Sequence, residues 1–181
     1  MMKKRWLLVF CLLFAAKVQA GEVADWAKGI VENTKTAWND GGYDAYVPFY
    51  AWHNRLAYDE EHLKKYNEMS TGFGLGKSFY DENNNWHGIY AFGFKDSNYH
   101  LETVAGYGYQ KNWAIDDHGN WLAGIGYTIG MTQRHEYKYI PVPMPLPIAG
   151  IGHKNLMLQA AYVPGLHNFG NVVLFWARAH F

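Results

Sequence analysis

From Tyr43 to the C-terminus, apolar residues alternate with polar or small ones at a period of two. The alternation predicts strands near 43–58, 72–80, 86–94, 100–110, 120–132, 144–151, 155–163 and 171–181. Turn-rich stretches separate them, such as Asp81-Glu82-Asn83-Asn84-Asn85 and Asp116-Asp117-His118-Gly119-Asn120. Ahead of the strands the period is 3.6. Val23, Trp26, Ala27, Ile30, Val31, Thr34 and Trp38 form one stripe, and Asp40-Gly41-Gly42 ends it. Two tryptophans on that stripe suit a helix at a membrane interface; a helix packed on its own domain is the alternative. Pro141, Pro143, Pro145 and Pro147 cannot all sit in a central paired strand, since each lacks an N–H. That stretch is expected to be loop, or a place where pairing lapses.

The first twenty residues read as a secretory signal. Lys3, Lys4 and Arg5 are the positive region, Trp6 to Ala16 the apolar one, and Val18-Gln19-Ala20 the cleavage site. Eleven apolar residues fall short of the ~20 that a membrane-spanning helix needs. Cleavage would remove Cys11, the only cysteine, and leave 12 basic against 16 acidic residues, a balance of −4. Nothing basic enough for a nucleic-acid partner remains. At 18% charged and 49% hydrophobic, the chain is neither disordered nor a helical membrane protein.

Eight alternating strands on an exported chain suggest a closed, antiparallel, all-β transmembrane barrel, because an open edge would leave backbone groups unsatisfied in lipid. Val173, Phe175, Ala177, Ala179 and Phe181 share a face, and the chain ends on the aromatic. This resembles the assembly signal of bacterial outer-membrane barrels. A soluble lipocalin-type barrel is the alternative. The expected division is a signal peptide (1–20), an amphipathic α-helix (21–41) and the barrel (42–181). With the helix and both termini periplasmic, 59–71, 95–99, 133–143 and 164–170 become external loops.

The two faces of each strand differ in bulk. Phe73, Leu75 and Phe79 oppose Gly72, Gly74, Gly76 and Ser78. Tyr107 and Tyr109 oppose Val104, Gly106, Gly108 and Gln110, and Ile125 and Met131 oppose Gly124, Gly126, Thr128 and Gly130. Trp86, Tyr90, Phe92 and Phe94 oppose His87, Ile89, Ala91 and Gly93. We expect each bulky set to face lipid and each small set the lumen. His87, Gln110, Gln159, Arg178 and His180 then form a polar plug, beneath an apolar hollow that suits an acyl chain. The alternative is that the glycines only relieve twist and curvature.

His53 ends strand 1 at the external rim, and Asp96 and Ser97 follow strand 3 to the same rim. A hydroxyl, an imidazole base and an orienting carboxylate are the parts of acyl transfer. Asp-Ser pairs also cap loop turns. There is no HxH or HExxH spacing, GxSxG elbow or P-loop, so no metal site is expected.

Tyr43 to Asp59 (YDAYVPFYAWHNRLAYD) resembles the first strand of the outer-membrane lipid A palmitoyltransferases, the PagP family. Tyr66-Asn67-Glu68, Asn85-Trp86-His87-Gly88, Phe94-Lys95-Asp96-Ser97, Ala105-Gly106-Tyr107-Gly108 and Tyr162-Val163-Pro164-Gly165 follow in order. The resemblance implies an enzyme that moves a palmitoyl chain from the sn-1 position of a phospholipid donor to a hydroxyacyl chain of a lipid A acceptor. The reaction is expected in the outer leaflet, by a membrane-embedded monomer without a cofactor. It places catalytic roles on His53, Asp96 and Ser97, the acyl-chain ruler on Gly108, and lateral lipid access at Pro48, Pro147 and Pro164. Asp96 would orient His53, the base toward Ser97 or the incoming hydroxyl. A family proline near residue 70 is absent here. The competing class is a non-enzymatic outer-membrane barrel, structural or adhesin-like, with a lumen filled by polar networks.

Overall fold

A computed structural model describes residues 20–153 and 155–181. The expected signal peptide, apart from Ala20, lies outside the described residues. Among those described, eight antiparallel strands close into one up-and-down barrel. They are β1 (Gly42–His53), β2 (Gly72–Tyr80), β3 (Trp86–Lys95), β4 (Leu101–Ala114), β5 (Trp121–Gln133), β6 (Val142–His153), β7 (Leu156–Val163) and β8 (Val172–His180). Closure runs from Asp44↔His180 to His53↔Val172 between β1 and β8. No described helix is long and apolar enough to cross a membrane. The strands carry an outward apolar face instead, with Phe73, Leu75 and Ile125 each about 60% exposed, as a lipid-spanning barrel requires.

Helix α1 (Ala20–Asp40) precedes the barrel. Of the described residues, those from 20 to 32 belong to one compact unit and Asn33–Phe181 to the other. In the second unit Ala37 is fully buried, and Lys77 Nζ donates to the Trp38 carbonyl at 2.5 Å. A short helix α2 (Glu60–Lys65) lies in the β1–β2 loop, with Asp59 as its N-cap accepting from the His62 N–H.

Two irregularities shape the barrel end that carries the β1–β2 loop. The β1–β8 register slips between Pro48 and Tyr50, leaving Phe49 as the extra residue of a bulge. Asp44, Tyr46 and Pro48 are buried before the slip, and Ala51 and His53 after it. The slip therefore turns His53 inward, where strict alternation would aim it out. The second irregularity is at β6. It begins at Val142 and includes Pro143, Pro145 and Pro147 within the strand. It pairs with β5 along its whole length, but with β7 only from Ile148 onward. Prolines at a period of two place their missing N–H groups on one edge, and that edge is the one without a partner. Likewise β1 pairs with β2 only from Gly42 to Tyr46.

The face assignment holds for β2, β4 and β5, and β3 reverses it. Trp86, Phe92 and Phe94 are buried in the lumen core with Tyr46, Val104 and Trp176. Neighbouring glycines make room for them. A Cβ on Gly72 would lie 2.6 Å from Phe94 Cβ, and one on Gly108 2.6 Å from Trp86 Cζ3. The small residues of β2 and β4 thus accommodate the bulk of β3 rather than leaving empty space beside it. His87 accordingly leaves the expected plug. Its ring sits on the outer wall, stacked on Phe79 with centroids 5.0 Å apart, and its Nδ1 lies 2.6 Å from the Tyr107 hydroxyl.

The other expected plug residues meet in the half of the lumen nearer the termini. Arg178, fully buried, donates to Asp44 and Ser78 at 3.3 Å each and to the Tyr80 hydroxyl at 2.7 Å. Its guanidinium lies 4.8 Å from the centre of the Trp86 ring. His180 Nδ1 is 2.8 Å from Asp44 Oδ1, and Gln159 donates to Gln110 at 2.9 Å. The buried ion pair is supported by the further partners Ser78, Tyr80 and His180, while Arg178 Nε is buried without a hydrogen-bond partner.

Candidate active site

Above the plug, the lumen holds a hollow in two stacked parts, apolar in its depth and lined toward its mouth by Asp96, Glu102, Arg134 and Glu136 as well. The larger, about 430 Å³, opens among His53, Ser97, Tyr58 and Tyr66 and descends to Leu146, Ala161 and Leu174. This falls in the ~300–1,000 Å³ range of small-molecule sites. The smaller, about 30 Å³, shares Leu146, Ala161 and Leu174 and continues to Gly108, Trp86 and Tyr46. Gly108 therefore sits at the floor, with the Trp86 ring laid against it.

At the mouth, His53 Nε2 lies 2.9 Å from Ser97 Oγ, a hydrogen bond between residues 44 apart in sequence. Two tyrosines and a carboxylate also hold the imidazole. Tyr66 stacks on it with centroids 5.0 Å apart, and Tyr58 meets it edge-on at 5.1 Å. The Tyr58 hydroxyl donates to the Gly170 carbonyl, which ties in the β7–β8 loop, and burial pushes its pKa up to about 12. His53 Nδ1 lies 3.1 Å from Glu68 Oε1. Glu68 is itself gripped by Arg55, whose two terminal nitrogens donate at 2.5 and 2.7 Å, and by the Tyr50 hydroxyl at 2.9 Å. The Arg55 hydrogen bonds, more than any other contact, hold the Glu68 carboxyl down to about 2. Glu68 is thus ionised and can only accept, so the Nδ1 proton points to it and Nε2 offers its lone pair to Ser97.

Asp96 behaves differently from the expectation. It makes no hydrogen bond to His53. Its Oδ1 accepts from the Asn98 and His100 N–H groups, at 2.8 and 2.9 Å, and so ties the turn that carries Ser97. Its Oδ2 is buried without a hydrogen-bond partner, 4.0 Å from Arg134 Nη2. Arg134 also faces Glu102 at 3.2 Å and Glu136 at 3.5 Å. Pro48 sits at the bulge, and Pro147 and Pro164 flank the unpaired stretch between β6 and β7. The β1–β2 gap persists without a proline near residue 70. The Ala51 N–H crosses it to the Glu68 carbonyl at 2.8 Å.

Reading the sequence missed Glu68 and Arg55. The available signal was topological, since the β1–β2 loop returns to the rim where β1 delivers His53. Among the described residues, no group of three or more His, Cys, Asp or Glu is placed to hold a metal ion.

A closed barrel with a lipid-facing belt, an apolar hollow and a hydroxyl–imidazole–carboxylate chain at its mouth defines a membrane-embedded barrel built for acyl chemistry. Similarity to known proteins narrows this class further. Residues 33–178 match the model of the family described as "Antimicrobial peptide resistance and lipid A acylation protein PagP". The chain belongs to the PagP family and is a bacterial outer-membrane protein. It is 46% identical to the "Lipid A acyltransferase PagP" of Yersinia enterocolitica, over 84% of this chain and 74% of that one. The protein of the same name from Proteus mirabilis is 44% identical over 88% of this chain and 76% of its own. That from Cronobacter sakazakii is 41% identical over 97% and 94%.

Proposed function

We propose that this chain moves a palmitoyl group from the sn-1 position of a phospholipid to a hydroxyacyl chain of lipid A, in the outer leaflet of the outer membrane. The observation that carries the reading is the 430 Å³ hollow, apolar in its depth, that opens directly onto the Ser97–His53 hydrogen bond. A fatty chain lowered into the hollow leaves its ester at the mouth, beside the reacting groups. The unpaired stretches at Pro48 and at Pro147 and Pro164 are the sideways routes for lipid. Gly108 and the Trp86 ring over it set how deep the chain reaches.

The hydroxyl in contact with Nε2 is that of Ser97. As Ser97 Oγ forms a bond to the ester carbonyl carbon, its proton passes to Nε2. Collapse breaks the bond to the glycerol oxygen, which takes that proton and leaves as lysophospholipid. The acceptor hydroxyl then attacks the acyl-serine, giving its proton to Nε2, and Ser97 recovers it on departure. Asp96 holds the turn that presents Ser97.

Palmitate transfer in detergent micelles tests the assignment. His53→Ala and Ser97→Ala are each expected to lose at least ~10²-fold in rate, the scale of a positioned acid–base group. Full activity in either would sink the reading. Transfer of palmitate to added hydroxylamine, lost in Ser97→Ala, checks the covalent step.

A further inference from the structure

We propose that Glu68 is the carboxylate that positions His53, fixing the imidazole tautomer and stabilising the imidazolium formed during transfer, with Arg55 holding Glu68 in place. This rests on His53 acting as the base, as set out above.

Four observations support it. Glu68 Oε1 is within 3.1 Å of both the His53 N–H and Nδ1, so one oxygen holds the backbone and the ring of the same residue. Glu68 is also the only carboxylate hydrogen-bonded to His53 among the described residues, because Asp96 spends Oδ1 on the Ser97 turn. Arg55 grips Glu68 with two parallel hydrogen bonds and also donates to the His53 carbonyl at 2.9 Å. The Glu68 carbonyl accepts from Ala51, so its backbone is anchored to the strand that bears His53. Each freedom of the imidazole is thereby removed. The ring packs face-on against Tyr66 and meets the edge of Tyr58, the Nδ1 proton points to Glu68, and Nε2 is presented to Ser97. A neighbouring anion that accepts from Nδ1 is what a base needs in order to carry a transient positive charge. Asp96 is thereby released from the orienting role, and its buried Oδ2 lies nearest Arg134 rather than His53.

Glu68 also bridges the β1–β2 gap, so a purely structural role must be distinguished. The decisive readout is the tautomer, measured by nitrogen-15 NMR of histidine-labelled full chain in detergent micelles, with His53→Ala assigning the signal. In the wild type at mildly alkaline pH, the His53 proton is expected on Nδ1. Finding it on Nε2 would overturn the proposal without any variant. In Glu68→Gln the Nε2-protonated form is expected to grow, and kcat for palmitate transfer to fall ~10²-fold or more. KM should stay within about twofold, as for an interaction made mainly in the transition state. Asp96→Asn is expected to leave the tautomer unchanged. A Glu68→Gln enzyme with wild-type kcat, beside an inactive His53→Ala, would refute the role of Glu68 and spare that of His53. An active His53→Ala would instead remove the reading on which the proposal stands.

Discussion

Gly108 offers a perturbation whose size follows from the coordinates. A Cβ at this position would stand 2.6 Å from Trp86 Cζ3 and 2.9 Å from Cη2, against about 3.4 Å for ordinary contact. The nearer contact requires the ring to retreat by about 0.8 Å, away from the β3–β4 wall and into the lumen. The polar plug lies on the terminal side, where Arg178 already covers the ring. The retreat therefore raises the floor of the hollow. Gly108→Ala excludes about one methylene from the chain end, worth ~0.8 kcal/mol or roughly fourfold in donor preference. Gly108→Met adds three further heavy atoms. If these exclude about three methylenes more, about four in all, the longest donors lose ~3.2 kcal/mol, roughly 200-fold, relative to donors about four carbons shorter. Overpacking costs ~1–3 kcal/mol of stability, so folded barrel should be confirmed by circular dichroism before each assay. The assay presents phospholipids of graded acyl length together in micelles and resolves the acylated products by mass spectrometry. A graded shift toward shorter chains from Gly to Ala to Met is expected. An unchanged length profile in folded Gly108→Met would refute the role of this floor.

Deleting Phe49 removes the bulge but leaves Tyr50 to His53 paired with Phe175 to Val172, so the strand alternates without interruption and His53 still faces the lumen; the folded variant should keep palmitate transfer, and its loss would contradict this register. Asp44→Asn leaves the Arg178 guanidinium without its buried counter-charge and should cost ~3–5 kcal/mol in urea unfolding, whereas a change under 1 kcal/mol would mean the plug does not depend on the pair. The Glu68 carboxyl sits at about 2 when folded, below its ordinary 4.5. Its stabilising contribution is therefore complete above about pH 4.5 and fades as pH falls toward 2. The gap in urea midpoint between wild type and Glu68→Gln should narrow across that window, and a constant gap would contradict the assignment of charge.

The strands could be read from the sequence because period-two patterning is a local property. The plug was nearly legible as well. Gln110, Gln159, Arg178 and His180 stand at lumen parity on strands whose outer faces are plainly greasy. Strand β3 could not be read that way. In a membrane barrel with an apolar lumen both faces are hydrophobic, so bulk alone does not say which way Trp86, Phe92 and Phe94 point. The answer lay in the neighbours, because a run of inward glycines on β2 and β4 is what lets large rings enter from between them. The inward turn of His53 depends on a single extra residue in the register, which alternation cannot reveal. The expected partnership of Asp96 with His53 failed for a related reason. Adjacency to Ser97 commits Asp96 to the turn, while the carboxylate that reaches His53 arrives from a loop fifteen residues beyond it.

Mass spectrometry of lipid A from outer membranes of cells carrying the wild-type chain, the Ser97→Ala chain or neither tests the central claim most directly. A gain of one palmitoyl group on lipid A is predicted with the wild-type chain alone. Lipid A that is identical in all three, with the wild-type barrel folded in the membrane, would contradict the account.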